Sequence, residues 1–211
     1  VQVGTYDRWQ YLAMLEGTNK PINITAEDAE GLGNILEMAQ ILMGGKEAWK
    51  KGPCFSIYLE PASPLNHSKE VVQKLLFAVD HDIPCVYTPC PLAGSTAPST
   101  LAAVLVQALA ESLFGIVVSQ TRKPGAQIII GGLMSNMDME TANHTHGSPE
   151  MALMSAGYTD ITKWLRVPMY ETAGCSDAKI FDEQSVMEAT INIATAALAG
   201  GNMIHNVGYL E

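Results

Sequence analysis

The residues Pro84, Cys85, Val86, Tyr87 and Thr88, followed after the Pro98 break by Ser99 and a long apolar run over 101–120, read as one β-strand feeding one α-helix. The first segment is short, apolar and opened by proline, while the second is too long to be a strand. Gln107, Glu111 and Ser112 interrupt the run, so a buried helix of a soluble protein suits it better than a membrane span. A strand-then-helix unit, if repeated, specifies a parallel sheet.

It does repeat. Short apolar runs bounded by Gly, Pro or polar residues predict strands over 21–25, 54–60, 84–88, 127–131, 168–172 and 203–207. The first connecting helix begins near Thr25 and stops at Gly44 and Gly45, where glycine takes a left-handed cap. The second starts near Ser68 with Val71, Val72, Leu75, Leu76 and Val79 on one face. A third follows Ser99, and a fourth opens on Ser148, Pro149 and Glu150, a hydroxyl cap followed by proline and an acid. The fifth runs from about Asp182 to Ala199 and ends at Gly200 and Gly201. Trp9, Leu12 and Leu15 suit a helix before the first strand.

Right-handed βα crossovers build a closed eight-stranded (β/α)8 TIM barrel or an open doubly wound sheet. No GxGxxG follows the first strand, and the barrel is the expectation. Six strands are about two short of that barrel, so residues 1–211 are expected to form one barrel domain within a longer chain. With 47% hydrophobic residues among 211, a sizeable core is available. A net charge of -10 argues against nucleic acid as a partner. No signal peptide pattern is visible, so Cys54, Cys85, Cys90 and Cys175 read as reduced thiols of a cytoplasmic enzyme.

A parallel barrel builds its active site at the carboxyl ends of its strands. That rule selects Glu60, Thr88, Cys90, Gly132, Asp138, Glu171, Cys175, Asp177, His205 and Asn206, polar or small groups at the mouths of apolar strands. Each also has a plain structural reading. Cys175 fills space, His205 bonds within the barrel, Glu60 holds a loop before Pro61, and Asp177 pairs with Lys179. His144 and His146 read as exposed loop residues. Tyr58, Tyr87, Tyr170 and Tyr209 are core packing or rings that face a cation.

The same segments carry a resemblance. PCVYTPCPLAGSTAP over 84–98, Ala110-Glu111-Ser112-Leu113 with Lys123-Pro124-Gly125-Ala126, and Met137-Asp138-Met139 with Gly147-Ser148-Pro149-Glu150 occur in the order found in the trimethylamine methyltransferase family. Ser176-Asp177-Ala178-Lys179 with Asp182, Gln184 and Glu188, then Ala199-Gly200-Gly201-Asn202 with Leu210 and Glu211, continue it. The matches span 53–211, and 1–52 resembles the family only weakly. The resemblance implies a barrel enzyme that moves a methyl group from a methylated amine to the cobalamin of a partner corrinoid protein.

Family members that demethylate trimethylamine carry pyrrolysine immediately before the SDAK motif, where this chain has Cys175. A quaternary ammonium already bears its charge and leaves as a neutral tertiary amine, so the resemblance implies a betaine-like donor, as in glycine betaine methyltransferase. His205, Cys175 and Glu60 are then the catalytic candidates. Tyr87, Thr88, Glu171, Asp177 and Asn206 are the substrate-binding ones. A homo-oligomer is compatible with this reading, and neither membrane nor nucleic acid is expected as a partner. Two rival functions are a betaine-binding barrel without catalysis and a zinc-thiolate methyltransferase built on Cys90, Cys175 and His205. No CxxC or HxxxH spacing supports the metal, and none is expected. If His205 points inward, alternation places Met203 and Val207 on its side and Ile204 and Asn206 towards the helices.

Overall fold

A computed structural model describes residues 4–209; Leu210 and Glu211, the last matched pair of the resemblance, lie outside the described residues. The order is α1 (Tyr6–Gly17), β1 (Ile22–Ile24), α2 (Ala29–Met43), α3 (Lys46–Lys51), β2 (Phe55–Leu59), α4 (Lys69–Asp80), β3 (Cys85–Tyr87), β4 (Leu92–Ala93), α5 (Leu101–Arg122), β5 (Ile128–Gly132), β6 (Ser135–Asn136), α6 (Pro149–Leu165), β7 (Met169–Thr172), α7 (Glu183–Ala199) and β8 (Met203–His205). Six strands hydrogen-bond in the order β1-β2-β3-β5-β7-β8, while β4 and β6 make a separate two-stranded ribbon. The six are the predicted ones. A helix lies between each strand and the next, as the βα repeat requires.

Local chemistry sets the helix ends. Asp28 accepts a hydrogen bond from Gly31 N and so starts α2 three residues later than Thr25, while Gly44 closes it at φ 88°. Ser68 accepts from Val71 N, and Ser148 accepts from Met151 N ahead of Pro149. Asp182 and Ser185 form a reciprocal capping box on α7, which Gly200 ends at φ 83°.

The chain falls into two compact units. One takes Val1–Leu59, His67–Val86 and Gly115–Ile128; the other takes Glu60–Asn66, Tyr87–Phe114 and Ile129–Glu211. The first unit is centred on Trp49, Tyr11 and Phe55, whose rings meet at 4.9 and 5.6 Å centroid separations from Phe55. The expected stripe of α1 is not its buried face. Asp7 and Tyr11 are buried there, whereas Trp9 and Leu12 are exposed. The reason is polar: the Asp7 carboxylate accepts from Glu27 N at 3.1 Å, which turns that side of the helix inward.

In the second unit Ala93, Val104, Ala108, Met134, Met154, Tyr158 and Met169 form one apolar cluster beneath α5, α6 and β7. The helix α5 is less buried than its sequence suggests. It is long and apolar enough to cross a membrane by length and composition, only 28% of its most apolar window is buried, and Val106 and Val117 are exposed. Its buried side carries, beside Val104 and Ala108, the interrupting residues Glu111 and Ser112, each 0% exposed.

Candidate active site at the strand ends

Strands β7 and β8 pair in parallel with Tyr170 opposite Met203, Glu171 opposite Ile204 and Thr172 opposite His205. Paired residues of parallel strands share a face, and neighbours along a strand alternate. Tyr170, Thr172 and His205 therefore lie together. The Tyr170 and His205 rings stack with centroids 4.1 Å apart and planes 20° from parallel. Thr172 Oγ1 is 2.6 Å from His205 Nε2, and the same hydroxyl donates to Gly132 O at 3.2 Å. The Asn206 side chain also bonds the imidazole, but burial prevails and pushes the ring's pKa down to about 4. His205 is neutral at pH 7.

Glu171 occupies the other face. Thr159 Oγ1 of α6 donates to its Oε2 at 2.9 Å, and a side chain at Gly201 would collide with the same oxygen. Burial raises its carboxyl pKa, against opposing bonds from Thr159 and Ser155. Oε1 has no hydrogen-bond partner among the described residues. Glu171 is thus directed at the helix layer, away from His205, because one residue along a strand reverses the face. Asn206 has φ 67°, a left-handed value that ends β8, so the expected alternation stops there and Val207 is exposed.

Cys175 is 0% exposed, with Sγ 3.9 Å from Asn206 O. Burial, then the Asp177 charge, pushes its thiol up to about 11, which favours the packed, neutral form at pH 7. Asp177 is a loop clamp. Its carboxylate accepts from His146 N, and its own N–H donates to Glu188 Oε2 at 2.9 Å. Ser176 Oγ donates to that oxygen at 2.7 Å, and Gln184 Nε2 to Glu188 Oε1 at 2.9 Å. The signature residues Ser176, Asp177, Asp182, Gln184 and Glu188 thereby hold the loop after β7 on the start of α7. His146 is buried rather than exposed, stacked on His144 at 4.2 Å and tilted against Tyr209 at 4.9 Å.

On the neighbouring strand ends, Glu60 is exposed and its carboxylate bonds the Cys90 thiol, whose pKa is raised by burial and then by the Glu60 charge. Tyr87 is fully buried, its phenol pKa raised by burial and by the Glu111 charge. Thr88 is also fully buried, with Oγ1 lacking a hydrogen-bond partner among the described residues. So the structure brings His205 and Asn206 together and Glu60 to Cys90, while it sets Glu171 and Cys175 into packing. All these residues belong to the second unit. No three of His, Cys, Asp and Glu converge on a metal position among the described residues. Sequence named Tyr170 only as one of four tyrosines that pack or face a cation and did not single out Thr172; the strand pattern held their signal, since both alternate with Glu171.

The family model described as "Trimethylamine methyltransferase (MTTB)" matches residues 6–211. Trimethylamine methyltransferase MttB of Desulfitobacterium hafniense (strain DSM 10664 / DCB-2) is 32% identical over 94% of this chain and 40% of its own length. Glycine betaine methyltransferase of Desulfitobacterium hafniense (strain Y51) is 29% identical over 93% of this chain and 41% of its own length. The chain thus spans about two fifths of these relatives. Among solved structures, a dihydropteroate synthase from Coxiella burnetii in complex with pteroic acid superposes with a TM-score of 0.52 at 13% identity, over 97% of this chain and 81% of that one. That likeness carries the fold alone: this is an α/β chain with six parallel strands of a (β/α)8 TIM barrel.

Proposed function

The chain belongs to the trimethylamine methyltransferase family, and from that premise we propose that the protein containing it takes a methyl group from a small quaternary amine of betaine type and delivers it to the cobalamin of a corrinoid protein. The observation that carries this reading is the stack of Tyr170 on a neutral His205. The stacked rings close their inner faces on each other, and the outer face of an uncharged ring suits a trimethylammonium group, which aromatic faces attract and to which no hydrogen bond can be made. A protonated histidine there would repel it. Glu171, the one acid on β7, faces away and does not form an ion pair that would hold the amine too firmly in its ground state.

A quaternary nitrogen departs with the electron pair of the broken C–N bond as a neutral amine, so the site needs no general acid and no thiolate. The packed, protonated Cys175 is consistent with that requirement. The partner's corrinoid supplies the nucleophile when bound. The chain's own residues bind and orient the ammonium, an effect of position rather than of proton transfer. The protein is cytoplasmic in this reading.

Spectrophotometry of the full-length protein with free cob(I)alamin and a panel of glycine betaine, carnitine and trimethylamine tests the proposal. Methylation of cobalt with a quaternary amine is expected. Binding of betaine with no change at cobalt would replace the enzyme by a binding barrel.

A further inference from the structure

We propose that Glu111 is a positioning residue: its carboxylate joins the loop after β2 to the turn after β4 and so sets the rim on which Glu60 meets Cys90. The functional meaning of that rim rests on reading the strand ends as the methyl-donor site. Glu111 sits in the middle of α5 with 0% exposure. Ser63 Oγ donates to its Oε2 at 2.8 Å, and Leu65 N donates to Oε1 at 2.8 Å. Gln107, one turn earlier, donates from Nε2 to Oε1 at 3.0 Å and from the same nitrogen to Thr96 O at 2.9 Å. One buried carboxylate therefore reaches both loops through three donors.

Two features separate this from ordinary helix packing. First, no Lys or Arg forms an ion pair with Glu111 among the described residues. An apolar side chain would supply cohesion at this position without desolvating a charge. Second, Leu65 holds φ 51° with its side chain exposed, a left-handed conformation that a branched residue adopts only when its surroundings impose it. The imposing contact is its N–H on Glu111, reinforced by the paired backbone bonds between Ala62 and Asn66, both 2.9 Å. Glu60 directly precedes this loop and Cys90 precedes β4 and its turn, so the same carboxylate holds the segments that follow both sides of their contact. The Glu111 charge also adds to the forces that keep Cys90 and Tyr87 protonated.

The test is hydrogen exchange together with kinetics on the full-length protein, with glycine betaine as donor and cob(I)alamin as acceptor. In Glu111→Gln, exchange within 62–66 and 92–97 should accelerate by about tenfold, as loss of a charge-assisted bond implies. KM for glycine betaine should rise by about tenfold with kcat nearly unchanged, the mark of lost uniform binding. Gln107→Ala should loosen 92–97 more than 62–66. If Glu111→Gln fails to fold, Gln107→Ala carries the test by that selective loosening, and unchanged exchange at 92–97 overturns the proposal. Exchange that rises uniformly across the second unit, or an unaltered KM beside loosened loops, also overturns it. Loosened loops in a protein that moves no methyl group from any amine would leave the coupling standing and refute the methyltransferase reading instead.

Discussion

Thr172 Oγ1 lies 2.6 Å from His205 Nε2 and 3.2 Å from Gly132 O, so one hydroxyl joins three neighbouring strands at their carboxyl ends. A hydroxyl has one proton. Since it donates to Gly132, the imidazole must be the donor to Thr172 and carries its proton on Nε2. A neutral ring of fixed tautomer, stacked on Tyr170, is the consequence.

Thr172→Val keeps the side-chain shape and removes that link. We expect a loss of about 1–2 kcal/mol of stability, the penalty of leaving a buried donor and acceptor without partners. Nitrogen-15 NMR of His205 should change from one tautomer to a mixture. An imidazole spectrum identical to wild type would refute the relay.

Glu171 and Glu188 should give opposite pH dependences. Burial holds Glu171 above the ordinary 4.5, so its stabilising contribution is full below pH 4.5 and is lost as pH rises through the higher folded value. Glu171→Gln cannot ionise, and its melting temperature should gain on wild type as pH climbs above 4.5. A difference that stays flat with pH would show that Glu171 does not titrate abnormally.

For Glu188, burial opposes ionisation, yet the bonds from Ser176, the Asp177 N–H and Gln184 prevail and hold its carboxyl below 4.5. Its contribution is present above pH 4.5 and is lost as pH falls through the lower folded value. Glu188→Gln should therefore destabilise the protein at pH 7, by about 0.5–1 kcal/mol once solvent screening of this partly exposed carboxylate is counted. Acidification should erase the difference. Equal melting temperatures at pH 7 would mean that the signature residues do not clamp the β7 loop.

The strands were legible because each is an apolar run bounded by Pro or Gly, and the caps because Ser68, Ser148 and Asp182 announce themselves by residue type. The short α3 was not, since Lys46–Lys51 is mostly charged, nor was the ribbon of two-residue strands β4 and β6. The strand ends on which the candidate site is built were legible, since the apolar runs stop there. The sequence places His205 at the end of β8, where the structure has it, but the phase of β7 decides between Glu171 and its neighbours Tyr170 and Thr172, and an all-buried strand shows no alternation in sequence. Glu111 read as an interruption of an apolar helix. Its partners Ser63 and Leu65 are 48 and 46 residues away, a separation no local pattern reports.

Substrate preference follows from the chemistry of the leaving group. Trimethylamine would leave as a dimethylamide unless a group activates or protonates it, and Cys175, neutral with a pKa near 11, sits packed against the Asn206 backbone. We expect cob(I)alamin methylation with glycine betaine or carnitine and a rate at least about a hundredfold lower with trimethylamine, as missing transition-state stabilisation of that order would give. Equal rates with trimethylamine and betaine would sink this assignment.

His205→Ala separates function from packing. Truncation removes the ring stacked on Tyr170 and the bond to Thr172, so stability should fall by about 1–3 kcal/mol at pH 7, at least as much as for Thr172→Val, without unfolding the protein. Methyl transfer should fall by about a hundredfold, the scale of a lost orienting group. The pH profile adds a second sign. Folding lowers the imidazole pKa from 6.5 to about 4, so wild type loses stability as pH drops through that window while the alanine variant does not. His205→Phe keeps a ring on Tyr170 but no bond to Thr172; it should retain most of the affinity for betaine and lose turnover, since ring faces bind the cation and the fixed imidazole orients it. Turnover of His205→Ala equal to wild type, or activity lost only in proportion to a large drop in melting temperature, would leave His205 as a packed ring with no part in methyl transfer.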